Sequence, residues 1–435
     1  MTSLFGSSGI RGLVGREITA DLVMSIGSAV GSRYERIIIG RDTRTSGDMM
    51  AMALSAGIMA SGADVYDAGM VSTPTLARAA IDFDCGLMIT ASHNPAEYNG
   101  VKMWNQDGSA FDTAQMEEIE GLIHSRNFRR PAWNKVGQSY PHLGATRSHM
   151  DDVIRALGSA DISVVLDCAS GATVGISPIL LRELGCRVFT LNAQPDGYFP
   201  GRLPEPTEDQ LIDLRKTVVS KGADLGIAHD GDGDRMVAVD ENGRFVDGDK
   251  LIALFASVME ADGLVAPIDA SMVLDDMVDG NVIRTRVGDV YVAEALKKSD
   301  LPFGGEPSGT FIFPRETYCP DGVYAAAFLA KIVTERRLSE LIDSLPSYPS
   351  ARESFMFDAS EKENVRRKLA EEMHKVAALK LITVDGYRAE FADGWFLVRL
   401  SGTEPKLRMT AEARSKEELD RLMYLGRGVI KRCLK

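Results

Sequence analysis

Cysteine is scarce in this sequence and never closely spaced. Five occur in 435 residues, at 85, 168, 186, 319 and 433, with no Cys-x-x-Cys among them. An odd, scattered count speaks against a disulfide framework and a thiolate zinc site, and it fits a reducing cytoplasm. Also missing is any apolar run near the ~18–20 residues that a membrane-spanning helix needs. The opening MTSLFGSSGIRG has no basic segment followed by an apolar one, so a secretory signal is not expected. Positive charge is in deficit: 49 Lys and Arg against 62 Asp and Glu leave a formal net charge of −13. That excludes a general nucleic-acid or anionic-membrane binder, because a phosphate backbone calls for a basic surface. It leaves room for an anionic small molecule, which needs only a few local cations.

What is present reads as a soluble globular chain, 45% hydrophobic and 26% charged. At about 100–200 residues per domain, its length implies three or four domains. Residues 36–67 run strand, polar loop, helix, Ser-Gly, strand, and residues 162–191 repeat that grammar. A fainter third copy is expected from Val273 through VGDVYVAEALKKSD to LPFGGEPSG. Such units imply parallel or mixed sheets with right-handed crossovers, hence three related α/β domains. The C-terminal part differs. GYRAEFADGWFLVRL places two alternating segments around Asp393-Gly394, a hairpin signal, and Ser415 with Glu418 resembles a capping box that opens a last helix. The expected partition is 1–150, 151–250 and 251–347 for the α/β domains and 348–435 for a smaller α+β domain, with SLPSYPSARES (344–354) as linker.

Several stretches carry chemistry. In LMITASHNPAEYNG (87–100) an apolar strand breaks at a Ser-His pair followed by Asn-Pro. A turn would explain Asn-Pro but not Ser92 and His93. In AHDGDGDRMVAVD (228–240), Asp230, Asp232 and Asp234 alternate with glycines that let the carboxylates converge, and oxygen-only ligands suit Mg2+ or Ca2+. An EF-hand needs glycine where Arg235 stands and helices where strands are expected. A haloacid-dehalogenase phosphatase needs Thr or Val where Met236 stands. In RLSGTEPKLR, Arg399 with Ser401, Gly402 and Thr403 would form an anion nest. GGEPSG places Glu306 and Ser308 in a glycine-rich loop, where they could meet sugar hydroxyls, although a plain loop explains that stretch alone. FGSSGIRG aims Arg11 between glycines, and Lys102 follows Ser92 closely in sequence. A Ser–His hydrolase is disfavoured: neighbours on an extended chain point opposite ways, no GxSxG elbow occurs, and such a hydrolase would not need a tri-aspartate loop. If Ser92 carried a phosphoryl group, the cations, acids and nest would cohere.

These motifs resemble the α-D-phosphohexomutase family, over essentially the whole chain and in the family's order: GSSGIRG, TASHNP, DGDGDR, GEPSG, RLSGTEP. The resemblance implies four domains around a central cleft. It makes Ser92 the phosphoserine, with Asp230, Asp232 and Asp234 completing a Mg2+ site that Ser92 shares. Arg11, His93, Lys102 and Arg235 would line the transfer site. Glu306 and Ser308 would bind the sugar, and Arg399, Ser401, Gly402, Thr403 and Arg408 the non-reacting phosphate. Two positions depart from the common pattern: Thr310 stands where many bacterial members have His, so that either another group such as Lys102 takes part or the proton transfers are ordered differently, and Ser7 stands where Thr is common. The expected activity is interconversion of glucosamine 6-phosphate and 1-phosphate through a 1,6-bisphosphosugar, in the cytoplasm, by a monomer or homodimer. A phosphomannomutase/phosphoglucomutase is the runner-up. A sugar-phosphate-binding protein without turnover should have lost Ser92, an aspartate or Arg11. A metal-dependent phosphatase would release phosphate without isomerisation.

Overall fold

The structure is a computed structural model that describes residues 4, 6, 9–401 and 404–434. Among the described residues the strands form four sheets. The first has six strands, in the order Ile10–Leu13, Tyr98–Trp104, Cys85–Ile89, Arg36–Arg41, Asp64–Met70, Ser139–Pro141. Four of its strands, from Cys85–Ile89 to Ser139–Pro141, are parallel, as the strand–helix–strand reading requires; Tyr98–Trp104 returns antiparallel beside Cys85–Ile89, and Ile10–Leu13 pairs antiparallel with it at the edge. The second sheet repeats this design in smaller form. Arg187–Leu191, Ser163–Asp167 and Leu225–His229 are parallel, and Met236–Asp240 returns antiparallel. In the third, Val282–Thr285, Leu264–Pro267 and Gly304–Glu306 are parallel and Thr310–Ile312 returns antiparallel.

The third copy is thus real but displaced from its expected start. Val273–Met277 is a short helix, and the strand–helix–strand unit runs from Val282 through the helix Asp289–Ser299 to Gly304. The fourth sheet is wholly antiparallel, in the order Ser350–Met356, Lys406–Ala413, Gly394–Leu400, Tyr387–Phe391, Lys380–Ile382. The expected hairpin forms, but Phe391 pairs with Gly394, so its two-residue turn is Ala392-Asp393 and Gly394 already lies in the strand. Ser415 caps the helix Lys416–Cys433 by accepting from Glu418 N–H, while the Glu418 carboxylate turns to Arg421 instead of completing the box. The expected linker ends sooner than the sequence indicates. Residues 350–354 form an edge strand whose side chains alternate between exposed and half-buried, so Pro349, not the Ser-Ala-Arg run, closes the connection.

Cores follow these sheets with two exceptions, one of them a small cluster of Ile268 and Met272 with Trp395 and Leu397 that joins the third and fourth. A single buried cluster runs from Met150 to Leu345 and joins the second and third sheets. The helix Gly322–Val333 makes the join, because nearly all its side chains are apolar and ten of its twelve residues are buried. The second and third sheets each end in an antiparallel hairpin, and the first and fourth carry one in their interior, between Cys85–Ile89 and Tyr98–Trp104 and between Gly394–Leu400 and Lys406–Ala413. The loops of the first three hairpins, 90–97, 230–235 and 307–309, and the stretch of sequence from Leu400 to Lys406 carry the motifs singled out above.

Candidate active site

Ser92 leaves its strand with φ +50 and is 2% exposed. Its N–H donates to Thr90 Oγ1 (2.8 Å), whose hydroxyl donates to buried Asp42 (2.7 Å). A second support is Arg44. Its guanidinium donates to the carbonyls of Ser92 (2.9 Å), Asn94 (2.6 Å), Pro95 (2.5 Å) and Tyr98 (2.8 Å), and its Nε to Asp42 (3.0 Å). One fork of donors thus satisfies four loop carbonyls that burial would otherwise orphan. The loop is held by its backbone, which leaves the Ser92 hydroxyl available. Arg11 reaches the same loop through Asn94 Oδ1 (2.8 Å).

Ser92 Oγ donates to Asp230 Oδ2 at 2.8 Å and lies 3.3 Å from His93 Nδ1. The expectation that His93 faces away does not hold, because the left-handed conformation of Ser92 breaks the alternation of an extended chain. Proximity does not make His93 a base. Burial, then Arg235, Arg11 and Lys102, push its pKa down to about 3, so the ring is neutral and weakly basic.

Asp230, Asp232 and Asp234 are all buried, and each places a carboxylate oxygen within 4.8 Å of the others. Two glycines permit this. A Cβ on Gly231 would lie 2.5 Å from Ser92 O, and Gly233 has φ +79. Lys102 Nζ enters from the first sheet to donate to Asp232 (2.8 Å) and Asp234 (2.6 Å). Burial would lower the Lys102 pKa, but those two acids raise it on balance, so the group stays charged and is not a base that could replace the absent histidine at 310. Burial and the neighbouring carboxylates raise Asp230 and Asp234. Burial also opposes ionisation of Asp232, but Lys102 and the Thr73 hydroxyl hold it low. Asp232 Oδ1 and Asp234 Oδ1 are buried without a hydrogen-bond partner among the described residues. Three acids against one ammonium, with two bare hard oxygens, fit a divalent cation that these side chains could hold.

A cavity of about 460 Å³ opens on this cluster. Arg11, Ser92, His93, Lys102, Asp234 and Arg235 line one side, and Glu306, Ser308 and Thr310 of the third sheet line the other. Glu306 accepts from Gly288 N–H (2.7 Å) and Thr310 Oγ1 (3.2 Å), and burial, then Asp289, push it up to about 7. Among the described residues, none of the C-terminal loop lines this cavity. Arg399 is paired with Asp385 (2.9 Å), Ser401 N–H donates to Lys406 O (2.9 Å), and half-exposed Arg408 lies 3.7 Å from Glu404. Gly402 and Thr403 of the expected nest, and Ser7, lie outside the described residues.

Sequence reasoning missed four supports. Thr73 donates its hydroxyl to Asp232 Oδ2 (2.6 Å) and its N–H to Asp232 O (2.8 Å). The Ser-Thr-Pro start of its helix was the available signal, but it marks a cap and not a destination. Arg44 and Asp385 sit in ordinary polar loops. Asp289 lines the cavity from a Val-Gly-Asp turn that had counted only as part of a repeat.

Four family models describing phosphoglucomutase/phosphomannomutase match in series: α/β/α domain I over residues 2–130, domain II over 146–243, domain III over 247–348 and the C-terminal domain over 362–424. A Methanosarcina acetivorans protein named "Probable phosphoglucosamine mutase" is 50% identical over 436 residues, covering 99% of this chain and all of the relative. A protein of the same name from Methanosarcina barkeri is 50% identical over 437 residues, with the same coverage. The crystal structure of a phosphoglucomutase/phosphomannomutase family protein from Burkholderia thailandensis superimposes with a TM-score of 0.87 at 28% identity, over 99% of this chain and 97% of that one. With four family models in order along one chain, relatives of half-identical sequence end to end, and a matching fold, this chain belongs to the phosphoglucomutase/phosphomannomutase family, the α-D-phosphohexomutases that its motifs resemble.

Proposed function

We propose that this protein is a phosphohexomutase, an isomerase that interconverts glucosamine 6-phosphate and glucosamine 1-phosphate through phospho-Ser92. One observation carries the reading: Ser92 Oγ lies 2.8 Å from a buried acid of a three-carboxylate cluster, at the mouth of a cavity walled by cations on one side and sugar-compatible acceptors on the other. The names of the half-identical relatives support the amino sugar as substrate.

In this reading the phosphoryl group leaves Ser92 Oγ as its P–O bond breaks and a new P–O bond forms to the free sugar hydroxyl, whose proton ends on Ser92 Oγ. The bound bisphosphate then turns in the cleft and returns its other phosphoryl to Ser92. Mg2+, held by Asp230, Asp232, Asp234 and the Ser92 phosphoryl oxygen, would supply Lewis-acid neutralisation of the transferring group. The chain's own cations supply the rest. Arg11 and Arg235 face the cavity, and Lys102 is kept charged by the acids it bridges, which suits a transition state that spreads negative charge over several oxygens. His93, neutral beside the hydroxyl, serves as a contact and not as the activating base. Glu306 and Ser308 accept from the sugar. Arg399, Ser401, Gly402, Thr403 and Arg408 grip the distal phosphate, and Arg399 must exchange Asp385 for it.

A coupled mutase assay on glucosamine, glucose and mannose phosphates, primed with a 1,6-bisphosphosugar, tests the reading. Intact mass should show one phosphoryl group that Ser92→Ala lacks. Ser92→Ala should lower mutase turnover by at least about 10³-fold, the scale lost when a covalent group-transfer residue is removed. Normal turnover by that variant, or phosphate release without isomerisation, overturns it. Faster turnover of mannose or glucose phosphate would favour the phosphomannomutase/phosphoglucomutase alternative.

A further inference from the structure

The strand Gly394–Leu400 sets Arg399 directly opposite Arg408 of Lys406–Ala413. Residues paired this way point to the same face of a sheet, so two guanidiniums share that face. Each has an acid beside it. Glu404, in the connection between those two strands, lies 3.7 Å from Arg408 and 2.6 Å from Lys406. The acid that meets Arg399 comes from elsewhere. Asp385 sits in the turn before Tyr387–Phe391, and its Oδ2 accepts from Arg399 Nη1 at 2.9 Å. The same oxygen accepts from Val287 N–H at 3.2 Å. Val287 follows a strand of the third sheet and lines the cavity beside Gly288, whose N–H holds Glu306.

This arrangement makes the acid a fixed partner and the guanidinium a movable one. The Asp385 turn packs straight onto the Arg399 strand. Gly386 has φ +81, and a Cβ there would lie 2.6 Å from Val398 O and 3.0 Å from Arg399 Cα. With Val287 N–H on its other side, the carboxylate keeps its place when the guanidinium swings away. Contact with Asp385 engages one of the five donors of Arg399. A phosphate dianion carries more charge and offers oxygens that match the whole fork, so it competes for Arg399. The two side chains are 20% and 26% exposed, so solvent screens their attraction only in part.

We propose that Asp385 is a positioning residue that makes the hold of Arg399 on the distal phosphate reversible. Arg399 passes from Asp385 to the phosphate as the sugar binds, and Asp385 takes it back when the bisphosphate has to turn. The inference rests on the mutase reading above and deepens it, because it adds a means of release to the grip. A cycle that presents both ends of one sugar needs such a grip. Cations without a competing acid would hold the intermediate more tightly and deepen the well from which it turns.

A rival role is bracing, in which Asp385 only ties its turn to Val287. Asp385→Asn separates the two, since the amide oxygen still accepts from Val287 N–H while the charge that holds Arg399 is gone. The binding measurement is calorimetric titration with glucose 1,6-bisphosphate in a Ser92→Ala background, which cannot exchange phosphoryl groups with the ligand. Asp385→Asn should bind about 5- to 10-fold more tightly, the scale of a partly exposed ion pair that no longer has to be broken. With Ser92 intact, Asp385→Asn should lower KM and kcat together, and Asp385→Glu, which keeps the charge, should move both back toward wild type. Bracing predicts the opposite sign, weaker binding and a higher KM. That result, or unchanged binding, overturns the proposal. Arg399→Ala tells which part has failed. If it weakens binding about 10-fold or more while Asp385→Asn does not tighten it, the release role is wrong and the phosphate grip stands. If it leaves binding unchanged, the grip is wrong and the release role goes with it. A Ser92→Ala protein that does not bind the bisphosphate at all overturns the mutase reading and everything that rests on it.

Discussion

Glu306 is an acid held where ionisation is costly, and this gives a pH signature. Its carboxyl is pushed up to about 7 from an ordinary 4.5, by burial first and Asp289 second. Between those values the unfolded chain loses the proton while the folded chain keeps it, so stability falls as pH rises and levels off above about 7. Glu306→Gln removes that loss and keeps both contacts, since the amide oxygen can accept from Gly288 and the amide N–H can donate to the Thr310 hydroxyl. Urea unfolding should find the variant more stable than wild type by up to about 3 kcal/mol at pH 8, with the gap closing toward pH 5. An equal gap at both pH values would refute the assignment. A more stable but less active variant is what a strained binding group predicts. Other single residues show where sequence reading stops. Ser92 and the three aspartates stand out by their spacing. Arg44 does not, because its role depends on carbonyls 48 to 54 residues away.

At the scale of elements, the recurring device is an antiparallel hairpin joined to a set of parallel strands. In each mixed sheet the parallel strands pack against helices, and the antiparallel return presents a short loop at the cleft. Strand, loop and helix were legible because apolar runs, Asp-Gly loops and terminal Ser residues set them locally. The helix Thr73–Ala79 illustrates what was not. Ser72 and Thr75 bond each other (2.7 Å), Thr75 meets His149 Nδ1 (2.9 Å), and His149 Nε2 meets Asp321 (3.1 Å). That chain of contacts fixes the first turn of the helix, and Thr73 in that turn orients Asp232. Thr73→Val keeps the shape and removes the hydroxyl. Its apparent Mg2+ affinity, read from activity against metal concentration, should fall about 10-fold or more, the usual effect of deleting an outer contact to a ligand. An unchanged metal titration would show that Asp232 needs no such support.

For the whole molecule, the proposed cycle requires the C-terminal sheet to keep its place while its loop adapts to either end of the sugar. A polar joint holds it. Arg388 is 1% exposed, stacks 3.8 Å from the Trp395 ring centroid, and donates to the carbonyls of Ile268 (2.8 Å) and Ala270 (2.7 Å) near the third sheet. Glu412 completes the joint by accepting from Ser271 Oγ, Met272 N–H and Trp395 Nε1. Arg388→Met removes the fork but keeps an apolar stem. It should destabilise the C-terminal sheet by roughly 2 kcal/mol, since Ile268 O loses its donor while Ala270 O retains Arg284. Hydrogen exchange should then quicken in Gly394–Leu400 and Lys406–Ala413 before it does in the first sheet. Uniform quickening throughout would mean that the joint does not divide the molecule.

By itself the sequence determined the units and the chemistry they could carry. Apolar periodicity and turn residues act over a few neighbours, so the strands, the hairpin near Asp393 and the convergent acids of DGDGD could be read directly. The tertiary structure alone decided the company each group keeps. It set Lys102 between Asp232 and Asp234, 130 and 132 residues away, turned His93 toward Ser92 and left it neutral, and brought Asp289 beside Glu306. Those outcomes depend on burial and on distances through space, and both arise only when sheets far apart in the chain close on one cleft.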